Sequence, residues 1–292
     1  MTEEYANRSA RARSPLRGRD DSTDRDDEAD LRSLLASACE YERRNAVLAL
    51  VERAEDDGLD AETTSKLADR LAEDDSADVR QFAVEVLGVA GAEASAIRGA
   101  LEDADEWVRA EAVVALSRVD PEDGLLCDAL EDDSGWVRRN AVIALGKTER
   151  ATFADLTDRI KNDPHPAVRE YAALYLGERA TDDQTEDAVR LLAAVLARDP
   201  EAFVRAKAAE SLGDLATDRA EQALETHGVT DRSDDVKRTA KRALASARGV
   251  DPDQLDIELD DGPPGGGPQS PGETPGGPGP GAGKQRPGNH QR

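Results

Sequence analysis

Apolar residues recur through the middle of the chain at a spacing that one kind of element satisfies. In the string WVRRNAVIALG from Trp136, counted from Arg138, they fall at -1, +3, +4 and +7: Val137, Ala141, Val142 and Leu145. Such positions share one face of an α-helix, whereas a strand would alternate them. The string returns as DVRQFAVEVLG from Asp78, WVRAEAVVALS from Trp107, AVREYAALYLG from Ala167 and FVRAKAAESLG from Phe203. Degenerate copies, YERRNAVLALV from Tyr41 and DVKRTAKRALA from Asp235, bring the count to seven. Upstream of the copies lie second amphipathic stretches, among them SKLADRLAED from Ser65, ADLTDRIKND from Ala154 and AVRLLAAVLARD from Ala188. Each copy therefore predicts a helical hairpin.

Neither helix of such a hairpin can bury its apolar stripe alone, but stacked hairpins bury a continuous core. A period in this range accordingly predicts an all-α solenoid of about seven hairpins. Position +3 is alanine in every copy, which lets neighbouring helices approach. Glycine stands at +8 in four copies (Gly88, Gly146, Gly177, Gly213), suiting either a close helix crossing or a helix end.

An aspartate precedes the basic residue by six positions at Asp74, Asp103, Asp132, Asp163, Asp199 and Asp231, and Ser37 stands there in the first copy. The pattern L-x-D-x-x-x-x-VR-x-x-A-x-x-x-LG resembles the HEAT repeat, in the short form of phycobilisome-lyase-type HEAT-like proteins. The resemblance runs from about Asp30 to Arg248 and implies a right-handed α-solenoid. It further implies that Arg80, Arg109, Arg138, Arg169 and Arg205 form a structural ladder with the aspartates, tying each inter-helix turn to the next repeat. A carboxylate just ahead of a helix N-terminus fits that role, since it accepts backbone N–H bonds and suits the helix dipole.

The chain carries 63 acidic against 38 basic residues, a net charge of -25. With few lysines, this is the composition of a protein from a high-salt cytoplasm, where a short screening length removes the self-repulsion of an acidic surface. We expect a haloarchaeal origin. No basic face follows from the periodicity, which disfavours nucleic acid as the ligand of the solenoid.

The ends read differently. Residues 1–29 hold five arginines between Arg8 and Arg19 and then a run of acids, without apolar periodicity, and predict a disordered charged arm. Its arginines offer a route to nucleic acid or an acidic partner. Residues 249–292 turn Asp-rich and then Pro/Gly-rich without a strict three-residue period, and predict a flexible tail. The first residues, MTEEYANRSA, hold no apolar core of a signal peptide, and the longest aliphatic run, LLAAVLA from Leu191, is too short to cross a bilayer. The expectation is a soluble cytoplasmic protein. Cys39 and Cys127 are too far apart in a solenoid to pair, and we expect reduced thiols in or near the core.

Catalysis finds little footing. Some HEAT-like proteins are metal-dependent hydroxylases whose ligands are repeated His-Glu pairs, but none of His165, His227 and His290 is followed by Glu. His165 reads as a residue of an ordinary inter-helix loop. No phosphate loop, nucleophile elbow or Cys/His arrangement of nucleophilic spacing is found. Bilin lyases share the repeat, and HEAT-like alkylpurine DNA glycosylases use Trp, Asp and Arg on a basic groove. Here Trp107 and Trp136 share the -2 position with Phe203, where the first duty is to cover the turn.

The remaining use is a long concave wall of second helices. Its exposed positions are expected at +1, +2, +5, +6 and +9, and the residues there best suited to binding are Phe82, Arg139, Asn140, Tyr171 and Tyr175. The expectation is a non-enzymatic scaffold that binds another protein, with no catalytic or metal site and no cofactor. A HEAT-like enzyme, bilin-lyase-like or DNA-glycosylase-like, and a nucleic-acid factor using the arginine arm are the alternatives.

Overall fold

The computed structural model describes residues 28–257, and among them there are fourteen α-helices and no strand. They pair in chain order: α1 (Glu28–Leu34) with α2 (Glu40–Asp56), α3 (Ala61–Glu73) with α4 (Ala77–Val89), and α5 (Ala94–Arg98) with α6 (Glu106–Val119). The next pairs are α7 (Leu125–Asp128) with α8 (Gly135–Lys147), and α9 (Phe153–Asn162) with α10 (Pro166–Arg179). Last come α11 (Thr185–Arg198) with α12 (Ala202–Leu215), and α13 (Asp218–Ala223) with α14 (Asp234–Arg248). The seven hairpins stack into an α-solenoid. The predicted charged arm and Pro/Gly tail lie outside the described residues, apart from their edges. There Leu255 and Ile257 pack back on the core and Lys241 Nζ donates to the Ile257 carbonyl at 3.0 Å.

Local chemistry starts the helices where the periodicity does. Asp60 accepts from Thr63 N at the head of α3, Asp105 from Trp107 N and Val108 N at α6, and Thr152 with Asp155 forms a capping box on α9. Pro166 opens α10, where its missing N–H is no loss. The first helices of the third, fourth and seventh hairpins are short, and each continues in another winding: 3₁₀ at Gly99–Glu102 and Ala129–Glu131, π at Leu224–Gly228.

The core is one layer of side chains held between first and second helices. Leu67, Ile97, Leu126, Leu156, Leu192 and Leu224 enter it from the first helices, and each is buried. From the second helices come the +3 alanines and the +4 and +7 aliphatics, such as Ala141, Val142 and Leu145. The thiols are a correction: Cys39 and Cys127 are both exposed, one at the N-cap of α2 and one on the outer side of α7.

The second helices lie side by side from repeat to repeat, far closer than the first helices do. The glycines at +8 explain the difference. They sit inside or at the last turn of their helices with ordinary backbone angles, and each faces the +6 residue of the next second helix. A Cβ on Gly88 would meet Ala115 Cβ at 2.6 Å, and one on Gly213 would meet Ala243 Cβ, Cα and O at 2.7, 2.8 and 2.9 Å. Close crossing, then, is what these glycines serve, and helix ends fall elsewhere, as at Gly249 with φ of 64°. Drawing one edge of every hairpin together bends the stack toward the second helices. Because the atoms opposing Gly213 include backbone, Gly213→Ala is expected to cost about 1–3 kcal/mol in overpacking. Urea unfolding followed by helical circular dichroism checks this; an unchanged midpoint would mean that α12 and α14 separate freely.

Candidate functional site

The repeated arginines and aspartates meet across hairpins. Arg138 Nε and Nη2 donate to Asp163 Oδ2 and Oδ1 at 2.7 and 2.8 Å, while Nη1 reaches back to the Asp132 carbonyl at 2.8 Å. The same fork joins Arg43 to Asp74, Arg80 to Asp103, Arg109 to Asp132, Arg169 to Asp199 and Arg205 to Asp231. Each aspartate also accepts the N–H two residues on: Ser76, Asp105, Ser134, His165, Glu201 and Ser233 in turn. Three donors thus converge on each carboxylate. Burial alone would raise the pKa of Asp74, Asp103, Asp163 and Asp231, but the arginine forks outweigh it and hold these carboxyls below the ordinary range. Six rungs at one repeat position form a structural tie between successive hairpins.

The residues expected to be exposed on the second-helix wall are, for the most part, covered. Phe82 is 2% exposed, Tyr175 5%, Arg139 6% and Asn140 4%; only Tyr171 is half-buried. The reason is the glycine-mediated approach. With neighbours this close, +1 and +2 of adjacent second helices touch each other and +6 is pressed under the preceding helix. Accordingly the Arg44 guanidinium sits 5.6 Å from the Phe82 ring centre, and Arg139 sits 4.8 Å from that of Tyr171. Arg139 Nη1 donates to Asn140 Oδ1 at 2.9 Å, and Asn140 Nδ2 donates to the Ala110 carbonyl at 2.8 Å. The Tyr175 ring lies flat on Gly146, whose Cβ would meet three of its atoms at 2.4–2.5 Å.

What the wall does present is position +5, at the edge of the core, where Ile143 and Leu174 pack against it and stay partly open. In three consecutive hairpins it is aliphatic, Val114, Ile143 and Leu174, and all three are half-buried. In the second, sixth and seventh hairpins the position is charged, Glu85, Glu210 and Arg242, and in the first it is the half-buried Leu48. The signal was in the sequence, as a repeat position whose polarity changes for three copies.

A second feature lies at the inter-helix turns. Trp107 and Trp136 stack with ring centres 5.6 Å apart, and the His165 imidazole meets Trp136 edge-on at 4.7 Å. A Cβ on Gly135 would strike that imidazole, so the glycine admits the ring. Here the -2 tryptophans are spent on each other. Burial depresses the His165 pKa below its ordinary 6.5; Asp163 opposes the effect and Arg138, Arg139 and Arg169 reinforce it. As pH falls through that ordinary value the unfolded chain takes up the proton first, so stability falls with it. The melting temperature is therefore expected to drop between pH 7 and 5, and less steeply in His165→Gln; parallel curves would show that the ring titrates unhindered.

Over residues 64–146 and 153–245 the chain matches the family model for HEAT repeats. The chain belongs to the HEAT repeats family. Among solved structures this HEAT-repeat chain is similar to YibA of Escherichia coli, at 17% identity over 84% of this chain and 97% of that one, with a TM-score of 0.51. It is also similar to Kap95p in its structure with RanGDP, at 17% identity over 77% of this chain and 35% of that one, TM-score 0.54. The CpcE–CpcF complex of phycocyanin lyase from Nostoc gives 19% identity over 84% and 94%, with a TM-score of 0.44. At these identities the likeness shows the HEAT-repeat fold alone. A sequence comparison with curated proteins found no match. Among the described residues, no helix is long and apolar enough to cross a membrane.

Proposed function

We propose that this HEAT-repeat chain is a non-enzymatic adaptor that holds another protein against its second-helix wall, in a salt-rich cytoplasm and without a cofactor. The observation that carries the reading is the row Val114, Ile143 and Leu174, three partly open aliphatic side chains in consecutive hairpins, at a register that is charged in the hairpins flanking the row. Such a row, one residue per hairpin, suits an extended or helical segment of a partner laid along the stack. Beside it the half-buried Tyr171, held by Arg139, offers a residue type that often anchors interfaces. Kap95p, whose fold is alike, binds RanGDP and forms a complex with Nup1, a precedent for protein binding by this fold.

Two observations weigh against the rival readings. Glycosylase-like chemistry would need tryptophan free to meet a base, whereas Trp107 is buried and stacked on Trp136. The Asp and Arg that lie near them close a rung of the ladder, Arg109 with Asp132. For the lyase-like reading nothing outside the shared repeat offers support.

The test is capture from native lysate in concentrated KCl, followed by mass spectrometry, with the intact chain and with Ile143→Glu/Leu174→Glu. Both sites are half-buried, so circular dichroism first establishes that the variant keeps its helices. A specific protein held by the intact chain and lost with the variant is the expected result. An identical set on both, or nucleic acid in place of protein, would overturn the reading.

A further inference from the structure

A cavity of about 450 Å³ opens on the second-helix wall between α10, α12 and α14, beyond the end of the aliphatic row. Its floor is low because Gly213 lies directly against Ala243, so no side chain rises between α12 and α14. Glu170 stands on one wall and Asp214 on another, with the exposed Phe203 ring among the lining residues. Neither carboxylate has an ion-pair or hydrogen-bond partner among the described residues, and burial pushes both upward in pKa. The cations nearby are engaged: Lys207 Nζ holds Glu210 at 2.5 Å, and Arg242 donates to Thr239 Oγ1 at 3.3 Å.

Two carboxylates without an ion-pair or hydrogen-bond partner among the described residues, beside one open aromatic face, describe a receptor for a guanidinium. Arginine is planar, offers paired donors to a carboxylate and stacks on aromatic rings, whereas lysine brings only a point charge. The chain carries a segment of that chemistry outside the described residues: five arginines and no acid from Arg8 to Arg19. We infer that the groove between α10, α12 and α14 is occupied by arginine side chains of the chain's own amino-terminal segment, from Arg8 to Arg13.

Reach selects these arginines from the five. Arg13 and Arg8 precede Glu28 by 15 and 20 residues (28 - 13 and 28 - 8), which in extended form span roughly 50 to 66 Å. From α2 to α12 there are five second-helix steps of about 8–10 Å each, or about 40–50 Å along the wall. Arg17 and Arg19, 11 and 9 residues from Glu28, extend to at most about 40 and about 32 Å, so neither passes the near end of that distance. Laid this way, the segment crosses the aliphatic row, so a partner binding there must displace it. The inference rests on Glu170 and Asp214 and does not depend on the adaptor reading.

A fluorescein-labelled peptide spanning residues 6–20 is the probe, its anisotropy followed with three full-length chains at about 0.1 M salt, where screening is incomplete. The first is the intact chain. The second carries Arg8→Ser, Arg11→Ser and Arg13→Ser, and the third adds Glu170→Gln and Asp214→Asn. We expect the second to bind the peptide at least tenfold more tightly than the first, because its own segment no longer competes, and the third to lose at least tenfold from the second. Neutralising two of 63 acidic residues leaves nonspecific attraction almost intact, so such a loss reports the groove itself. Amides at these two positions carry no charge to desolvate, and the third chain is expected to melt no lower than the second. Equal binding to the first two chains, or undiminished binding to the third, would overturn the proposal.

Discussion

Asp163→Ala is expected to lower stability by about 3–5 kcal/mol, the usual cost of removing one partner from a buried charge pair. The fork it receives from Arg138 is buried on both sides, and the guanidinium has nowhere else to turn. Its Nη1 is fixed to the Asp132 and Asp133 carbonyls at 2.8 and 3.0 Å, so the side chain stays in place beside an empty site. The His165 N–H loses its acceptor as well. Urea unfolding measured by circular dichroism and, locally, by Trp136 fluorescence gives the comparison. Asp187→Ala, which breaks the exposed pair with Arg190, should stay within about 0.5 kcal/mol of the parent. Equal effects from the two would show that the rung is no more than a surface contact. Because the Asp163 pKa is depressed in the fold, its stabilisation is in place above the ordinary carboxylate range and is lost only as pH falls through the lower value.

The second large effect falls on Phe82. Cutting this ring to alanine empties a site beneath Arg44 that neighbouring side chains fill poorly, at about 3–5 kcal/mol. Tyr171→Ala, at the same register three hairpins later and in contact with Arg139, removes a half-buried ring and one hydroxyl acceptor and should cost about 1–2 kcal/mol. Thermal melts of the two variants settle the order. The result bears on function: alanine at Phe82 or Tyr175 reports lost packing first, so binding experiments belong on Ile143 and Leu174. A Phe82→Ala chain as stable as its parent would return that ring to the surface.

The hairpins and their order were legible because a solenoid repeats its requirements: the +3 alanine, the +4 and +7 aliphatics and the Asp-to-Arg offset recur in nearly every copy. The face of the second helix was misread for a physical reason. A helical wheel drawn for one helix leaves +1, +2 and +6 in water, but it takes no account of a neighbour admitted to contact distance by Gly88, Gly146 or Gly213. Those glycines were visible, and the choice between a close crossing and a helix end was not. The tryptophan pair lies at the turns, as its repeat position predicts; its stacking follows because two rings at one repeat position touch when the turns that carry them stack this closely. The Val114, Ile143 and Leu174 row could have been found by asking where a repeat position changes polarity, which is a question about exceptions in a pattern otherwise read for its regularities.

Each arginine fork closes on an aspartate from the following hairpin, so the unit that satisfies its own polar groups is not the hairpin. It runs from one aspartate to the next, across the boundary that helix pairing alone would draw. Such a chain can be lengthened or shortened only in whole steps of that offset unit. A cut made between hairpins strands an arginine on one side and a carboxylate on the other, which places the natural seams of this molecule inside its turns.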